Sequence, residues 1–429
     1  MARLLYSLVF TLLMPVIVVR LFMRARKAPA YAQNWWQRFG VLRSPKAVMG
    51  QQGGIWFHTV SVGEFLAAAP LIQQTLDANP ETLITITTTT PTGSEQVKKR
   101  FAHELNKRVF HVFLPYDLPW FLNGFLRKVR PELLVILETE LWPNLIHCAK
   151  KAECKVMVVN ARLSEKSAKG YAKVAKLTRS MLMGLDHLAV QNHNDAARFM
   201  ELGMPESRMS VTGSIKFDLD IDTQLMEQGQ QLKQAWGRER CVLIMASTHA
   251  GEDEIGLAAF KAVLQDDPNA LFVVVPRHPE RFDAVAKLIV QNDLSLSRRS
   301  LGQSADQSQV LLVDTMGELM QFLAASDVCI MGGSFIESGG HNPLEPAALS
   351  VPVLMGPSQF NFAVICEQLE AAGALQTVTQ TQLGEVALQW LKDDALRQEK
   401  GLQGKAVVDS NRGAKQKVFE LIQSEFAKS

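Results

Sequence analysis

The sequence predicts an α/β chain of two doubly wound, Rossmann-like halves behind an apolar, membrane-associated N-terminal helix. Short β-rich apolar runs alternate with amphipathic stretches in two separate series, and a polar, aperiodic segment divides them. The first residues add an uncharged apolar run with a basic collar.

The first series reads IWFHTV (55–60), LITITT (83–88), VFHVFL (109–114), LLVILE (133–138), KVMVVN (155–160) and HLAVQN (187–192). Near-continuous apolar strands separated by helical stretches belong to a parallel sheet covered on both faces. CVLIMAS (241–247), ALFVVVP (270–276), VLLVD (310–314), DVCIMGG (327–333) and VPVLMG (351–356) repeat the pattern. Between the series, GSIKFDLDIDTQ (213–224) is polar and lacks periodicity, which puts the boundary near 218. The expected organisation is an anchor over 1–30, a first Rossmann-like domain over 31–218 and a second over 219–429. The segment 416–426 reads as an amphipathic helix, a candidate to pack back onto the first domain. In open α/β sheets ligands bind beyond the carboxyl ends of the strands. Two such halves facing across a cleft therefore make the strand-end residues the ones to inspect.

Leu4 to Val19 carries no charge and lies between Arg3 and the cluster Arg20, Arg24, Arg26 and Lys27. Its length is about 24 Å as a helix against a hydrocarbon core of roughly 30 Å, so attachment fits better than a clean span. Ala28, Ala30 and Ala32 offer an A-x-A cleavage pattern, but the basic cluster precedes it, reversing the charge order of a signal peptide. The positive-inside tendency puts the body on the cytoplasmic face of a cell's inner membrane. Hydrophobic residues at 47% and charged residues at 21% exclude a disordered chain and a multi-span membrane protein. A net charge of +2 argues against a nucleic-acid binder, and five scattered cysteines without a CxxC pair suggest neither a disulfide framework nor a zinc site.

Several strand ends carry reactive groups. After the first strand, Ser61-Val62-Gly63-Glu64 opens a helix; a glutamate there is ordinary as a first-turn acid, and the macrodipole would keep it ionised and ready to accept a proton. ILETELWPN places Glu138 and Glu140 at the end of the fourth strand, where one serves as a first-turn acid and the other as a ligand of substrate hydroxyls. VVVPRHPERF puts Arg277 and His278 where a fixed guanidinium could meet a phosphate, or form a solvated turn. Thr315-Met316-Gly317-Glu318 follows the next strand, and Gly332, Gly333, Gly339 and Gly340 suggest exposed backbone N–H groups for an anion. In HNPLE, Glu345 could accept the two hydroxyls of a ribose. No P-loop pattern is present, and the acids Asp218, Asp220 and Asp222 read as a solvated linker run, so no metal site is expected.

In chain order, HTVSVGE, TTTTPTGSE, LPYDLP, ETELWPN, NARLS, GSIKFD, VPRHPERF, DTMGEL, GGSF, GGHNPLE and GPSQFNF resemble the Kdo (3-deoxy-D-manno-octulosonic acid) transferases, from about Gly54 to Phe362. The resemblance implies a GT-B fold and a metal-independent, inverting transfer of Kdo from CMP-Kdo to a hydroxyl of a lipid A precursor, lipid IVA, in lipopolysaccharide core synthesis, with no cofactor. It implies Glu64 as general base, and Lys216 with the ETELWP acid, Glu140 or Glu138, as stabilisers of charge during transfer. CMP contacts would fall on Arg277 and His278, on Met316, Gly317 and Glu318, and on Asn342, Pro343, Leu344 and Glu345. Gln37 of NWWQRFG departs from the family pattern, which has an acid there. Two rivals stand against this reading: a GT-B transferase with a UDP-sugar donor, told apart by the donor that protects against unfolding, and a non-catalytic scaffold, for which Glu64 is dispensable.

Overall fold

The computed structural model describes residues 1–42, 53–219 and 221–428. Asp220 and the side chain of Lys27, both singled out above, lie outside the described residues. The chain forms two compact units, Met1–Ile215 with Arg412–Ser429, and Lys216–Asn411. The division thus falls just before Lys216, inside the GSIKFD segment, against the position near 218 that the sequence suggests.

In the first unit, β1 (Ile55–His58), β2 (Ile84–Thr88), β3 (Val109–Phe113), β4 (Leu133–Leu137), β5 (Lys155–Ala161), β6 (His187–Val190) and β7 (Met209–Val211) form one sheet in the order β3-β2-β1-β4-β5-β6-β7. All its pairings are parallel. Side chains alternate between two cores as the pleat demands. Trp56, Leu134, Ile136, Val156 and Val158 enter one cluster, while Ile55, Phe57, Leu133, Val135, Met157 and Val159 enter the other. Both faces are dry, which is why these strands read as unbroken apolar runs.

The terminal helix Ala414–Ala427 closes the second of those cores with Ala414, Val418 and Ile422. Ile422 is fully buried beside Phe57 and Leu71, so Ile422→Ala is expected to cost about 2–5 kcal/mol, read as a lower urea midpoint of the full chain.

In the second unit, β8 (Val242–Thr248), β9 (Leu271–Pro276), β10 (Leu296–Arg298), β11 (Val310–Leu312), β12 (Val328–Met331), β13 (Val353–Met355) and β14 (Leu375–Thr377) form a second parallel sheet. Its order is β10-β11-β9-β8-β12-β13-β14. Here too the pleat divides the core: Val242, Ile244 and Ala246 face one cluster, Leu243 and Met245 the other.

In each sheet the strand order reverses once near the middle, between β1 and β4 and between β8 and β12. Such a reversal splays the neighbouring connections to opposite faces and leaves a crevice at the carboxyl ends. Three non-glycine residues with left-handed φ stand at or next to those ends: Glu138 (56°), Asn160 (55°) and Ser247 (60°). Strain of this kind persists where surrounding contacts enforce it and concentrates at functional sites.

The N-terminal helix runs over Ala2–Lys27, longer than the sixteen apolar residues counted in sequence, because its flanking arginines continue the same helix. By length and composition its Ala2–Arg26 stretch could cross a membrane.

Candidate active site

In the first unit the loop after β1 turns into the helix Val62–Ala78 at Ser61, whose hydroxyl accepts the Glu64 N–H at 3.2 Å. The Glu64 carboxyl answers with two bonds, accepting the Ser61 hydroxyl at 2.9 Å and the Val60 N–H at 2.7 Å. This is a capping box whose acid reaches one residue further back than usual. It fixes the carboxyl on the loop that leaves β1.

The setting of Glu64 favours its protonated form, where the helix start alone would favour the carboxylate. Burial raises its pKa to about 7, the bonds from Val60 and Ser61 oppose the rise, and the charges of Glu138 and Glu140 add to it. Desolvation, with two like charges beside it, outweighs those two bonds. Glu138, with its left-handed backbone, pairs with Arg162 of the NARLS segment at 3.4 Å. Glu140 accepts the Trp142 indole N–H at 2.9 Å, and burial raises its pKa, with Glu138 contributing. The structure therefore gathers the carboxyls of Glu64, Glu138 and Glu140 into one interacting group with Arg162 at its edge.

The NWWQRFG segment reaches the same sheet. Gln37 accepts the N–H of Phe113, the last residue of β3, at 2.9 Å, which the acid expected there would also accept. Arg38 is buried, donates to the Thr89 carbonyl at 2.9 Å and lies 4.3 Å over the Phe113 ring.

In the second unit the β8 and β12 ends are tied by one residue. Glu252 is fully buried and accepts N–H groups from His249 (2.9 Å), Gly333 (2.7 Å) and Phe335 (3.1 Å). The glycine loop is thereby not the open anion nest that the sequence suggested. Its N–H groups are spent internally: Gly332 on the Ala246 carbonyl, Gly333 on Glu252, Gly339 on Ser358 and Gly340 on the Gly333 carbonyl. Gly332 is required for closeness instead, since a Cβ there would sit 2.4 Å from the Ser247 carbonyl oxygen.

Over this loop the rings of His249 and His341 lie parallel, with Nε2 to Nε2 2.8 Å, and His278 meets His249 edge-on at 5.4 Å. Burial, then the charges of Arg277, His249 and His278, push His341 down to about 4. Arg277 also opposes the upward shift that burial imposes on Glu345, so the guanidinium is near both. Glu345 accepts from Asn342 at 3.3 Å. The structure thus brings together Arg277, His278, Asn342 and Glu345, and adds His249, His341 and Glu252, which sequence reasoning missed. Pro343 and Leu344 are buried; Leu344 belongs to the core and already gives its N–H to Asn342 at 3.2 Å.

Met316, Gly317 and Glu318 form an exposed or half-exposed turn with its own network. Arg299 donates to Glu318 at 2.7 Å and holds its pKa down to about 2, aided by Thr315 and Gln321. The Lys216 ammonium stands 5.6 Å over the Phe362 ring of GPSQFNF, so Lys216 joins the second unit. Asp222 caps the helix Thr223–Trp236, accepting the Leu225 N–H at 2.7 Å. Among the described residues no group of three or more His, Cys, Asp or Glu is placed to hold a metal ion.

Comparison with known proteins identifies the family. Residues 33–219 match the family described as 3-deoxy-D-manno-octulosonic-acid transferase (kdotransferase). A 3-deoxy-D-manno-octulosonic acid transferase of Haemophilus influenzae is 38% identical over 425 residues, covering 98% of each chain. One of Bordetella pertussis is 32% identical over 434 residues, covering 99% of each. Among solved structures, the UDP-GlcNAc 2-epimerase of Neisseria meningitidis covers 88% of this chain and 100% of its own at 15% identity, with a TM-score of 0.56, a likeness of fold alone. With two parallel Rossmann-like sheets, the fold is GT-B. The chain belongs to the 3-deoxy-D-manno-octulosonic acid (Kdo) transferase family and is a glycosyltransferase.

Proposed function

We propose that this chain transfers Kdo from CMP-Kdo to a hydroxyl of lipid IVA at the cytoplasmic face of the inner membrane, with inversion and without a metal. The observation that carries this is Glu64: a carboxyl fixed by Val60 and Ser61, with a pKa raised to about 7, is matched to taking a proton from a hydroxyl near neutral pH. The acceptor oxygen attacks the anomeric carbon, its proton passes to Glu64, and the bond from that carbon to the phosphate oxygen breaks as CMP leaves. Attack opposite the leaving phosphate inverts the centre.

In the second unit Arg277 and His278 hold the phosphate, and Glu345 with Asn342 takes the ribose hydroxyls. Met316, Gly317 and Glu318 line the nucleotide, with Pro343 and Leu344 shaping the loop from within. Lys216 and Glu140 stabilise charge as the glycosyl bond breaks. A monophosphate leaving group carries less charge than a diphosphate, so a guanidinium can do for it what a metal does for a diphosphate.

Arg277→Ala is expected to weaken CMP binding by roughly 10- to 100-fold, the worth of a charge-assisted contact, measured by calorimetry. The reading itself is tested by incubating the full chain with CMP-Kdo and lipid IVA. Mass spectrometry should find Kdo-extended lipid and NMR an inverted anomeric centre; absence of product with folded protein overturns the assignment.

A further inference from the structure

The helix Ala2–Lys27 has 26 residues and is about 39 Å long, enough to cross a bilayer, yet its contacts run along its side. Among its less exposed positions, Arg3, Ser7, Phe10, Met14, Ile17 and Leu21 form one stripe at spacings of three and four from end to end. At the start of the stripe Arg3 donates to Asn144 Oδ1 at 3.0 Å, and the Ser7 hydroxyl donates to the same atom at 3.1 Å. Asn144 is fully buried and is fixed in turn by Asp117, whose side chain accepts its N–H at 3.1 Å and whose carbonyl accepts its amide at 2.8 Å. At the far end Leu21 is buried, and the Phe22 ring meets Trp35 edge-on at 5.9 Å. Both ends of the helix are fastened to the same folded unit.

The opposite stripe is apolar and open. Leu5, Leu8, Leu12, Val16, Val19 and Met23 are each between 58% and 71% exposed. An apolar strip of that length is too large to leave in water. Arg20, Arg24 and Arg26 stand exposed around its end, and the half-exposed Trp35 lies beside it, the combination of cation and aromatic that suits a headgroup region.

We propose that this helix is an in-plane anchor: its open stripe enters the acyl region of one leaflet, the arginines meet anionic headgroups, and its first residue stays on the same side as the folded body. A crossing would tear Arg3 and Ser7 from Asn144, leave that buried amide short of partners, and carry Arg3 through the hydrocarbon.

The test uses the full chain carrying Ala2→Cys or Lys428→Cys, treated with a membrane-impermeant maleimide in intact spheroplasts and in inverted inner-membrane vesicles. Peptide mass spectrometry separates these sites from the native cysteines. Positions 2 and 428 are expected to react from the same side, to similar extents and before detergent. Reaction of position 2 from the opposite side, or only after detergent, overturns the proposal.

Discussion

Glu64→Gln is expected to slow sugar transfer by about 10²- to 10⁴-fold while CMP binding is retained, because the amide keeps the shape of the carboxyl but cannot take a proton. The same substitution separates chemistry from folding. Glu64 has a folded pKa of about 7 against an ordinary 4.5, so the folded state prefers the protonated acid. The stability this gives is fully present below the ordinary carboxylate range and is lost as pH rises through about 7. An uncharged glutamine avoids that loss. Above pH 7.5 the variant should melt higher than the parent by an amount equivalent to about 1 kcal/mol or more, and near pH 5 the gap should shrink. Calorimetry at the two pH values checks it; equal melting at the higher one contradicts the buried, acid-crowded setting of Glu64.

Glu252→Ala is expected to cost about 3–5 kcal/mol and to weaken CMP binding together with stability. The carboxylate is the acceptor for the N–H groups of His249, Gly333 and Phe335, and each buried donor left without a partner costs about 1–3 kcal/mol. Because those donors come from the loops after β8 and β12, their release also unfastens the His249–His341 pair beside Arg277. Urea unfolding with intrinsic fluorescence reads the first effect and calorimetric titration with CMP the second. A variant with the parent's midpoint would show that the loop is held by something other than Glu252.

The long strands were legible because burial on both faces makes them apolar without interruption, as in LLVILE before Glu138. The short outer strands β7, β10 and β14 were not: MSV, LSR and LQT are three-residue, mixed segments whose pairing comes from the neighbour and not from their own pattern. Strand-end position singled out Glu64, Glu138, Glu140, Arg277 and His278. Their mutual influence was beyond reach, since the like charges around Glu64 depend on β1 lying beside β4. In sequence Glu252, in GEDE at a helix start, looks like any first-turn acid. Its role exists only because β8 pairs with β12 across a long sequence gap. The same holds for His341, since in sequence GGHNPLE stands out only by its glycines and its glutamate. The glycines misled, since their spacing resembles an anion nest while the N–H groups are used within the fold.

The most direct test of the central claim is the pH dependence of kcat/KM for Kdo transfer from CMP-Kdo to lipid IVA by the full chain. With Glu64 as base, the rate constant should rise about tenfold per pH unit on the acid side and level off through an apparent pKa near 7. In Glu64→Gln that limb should vanish from the small residual rate. A limb near the ordinary carboxylate value, or one that persists unchanged in the glutamine variant, would assign the proton to another group.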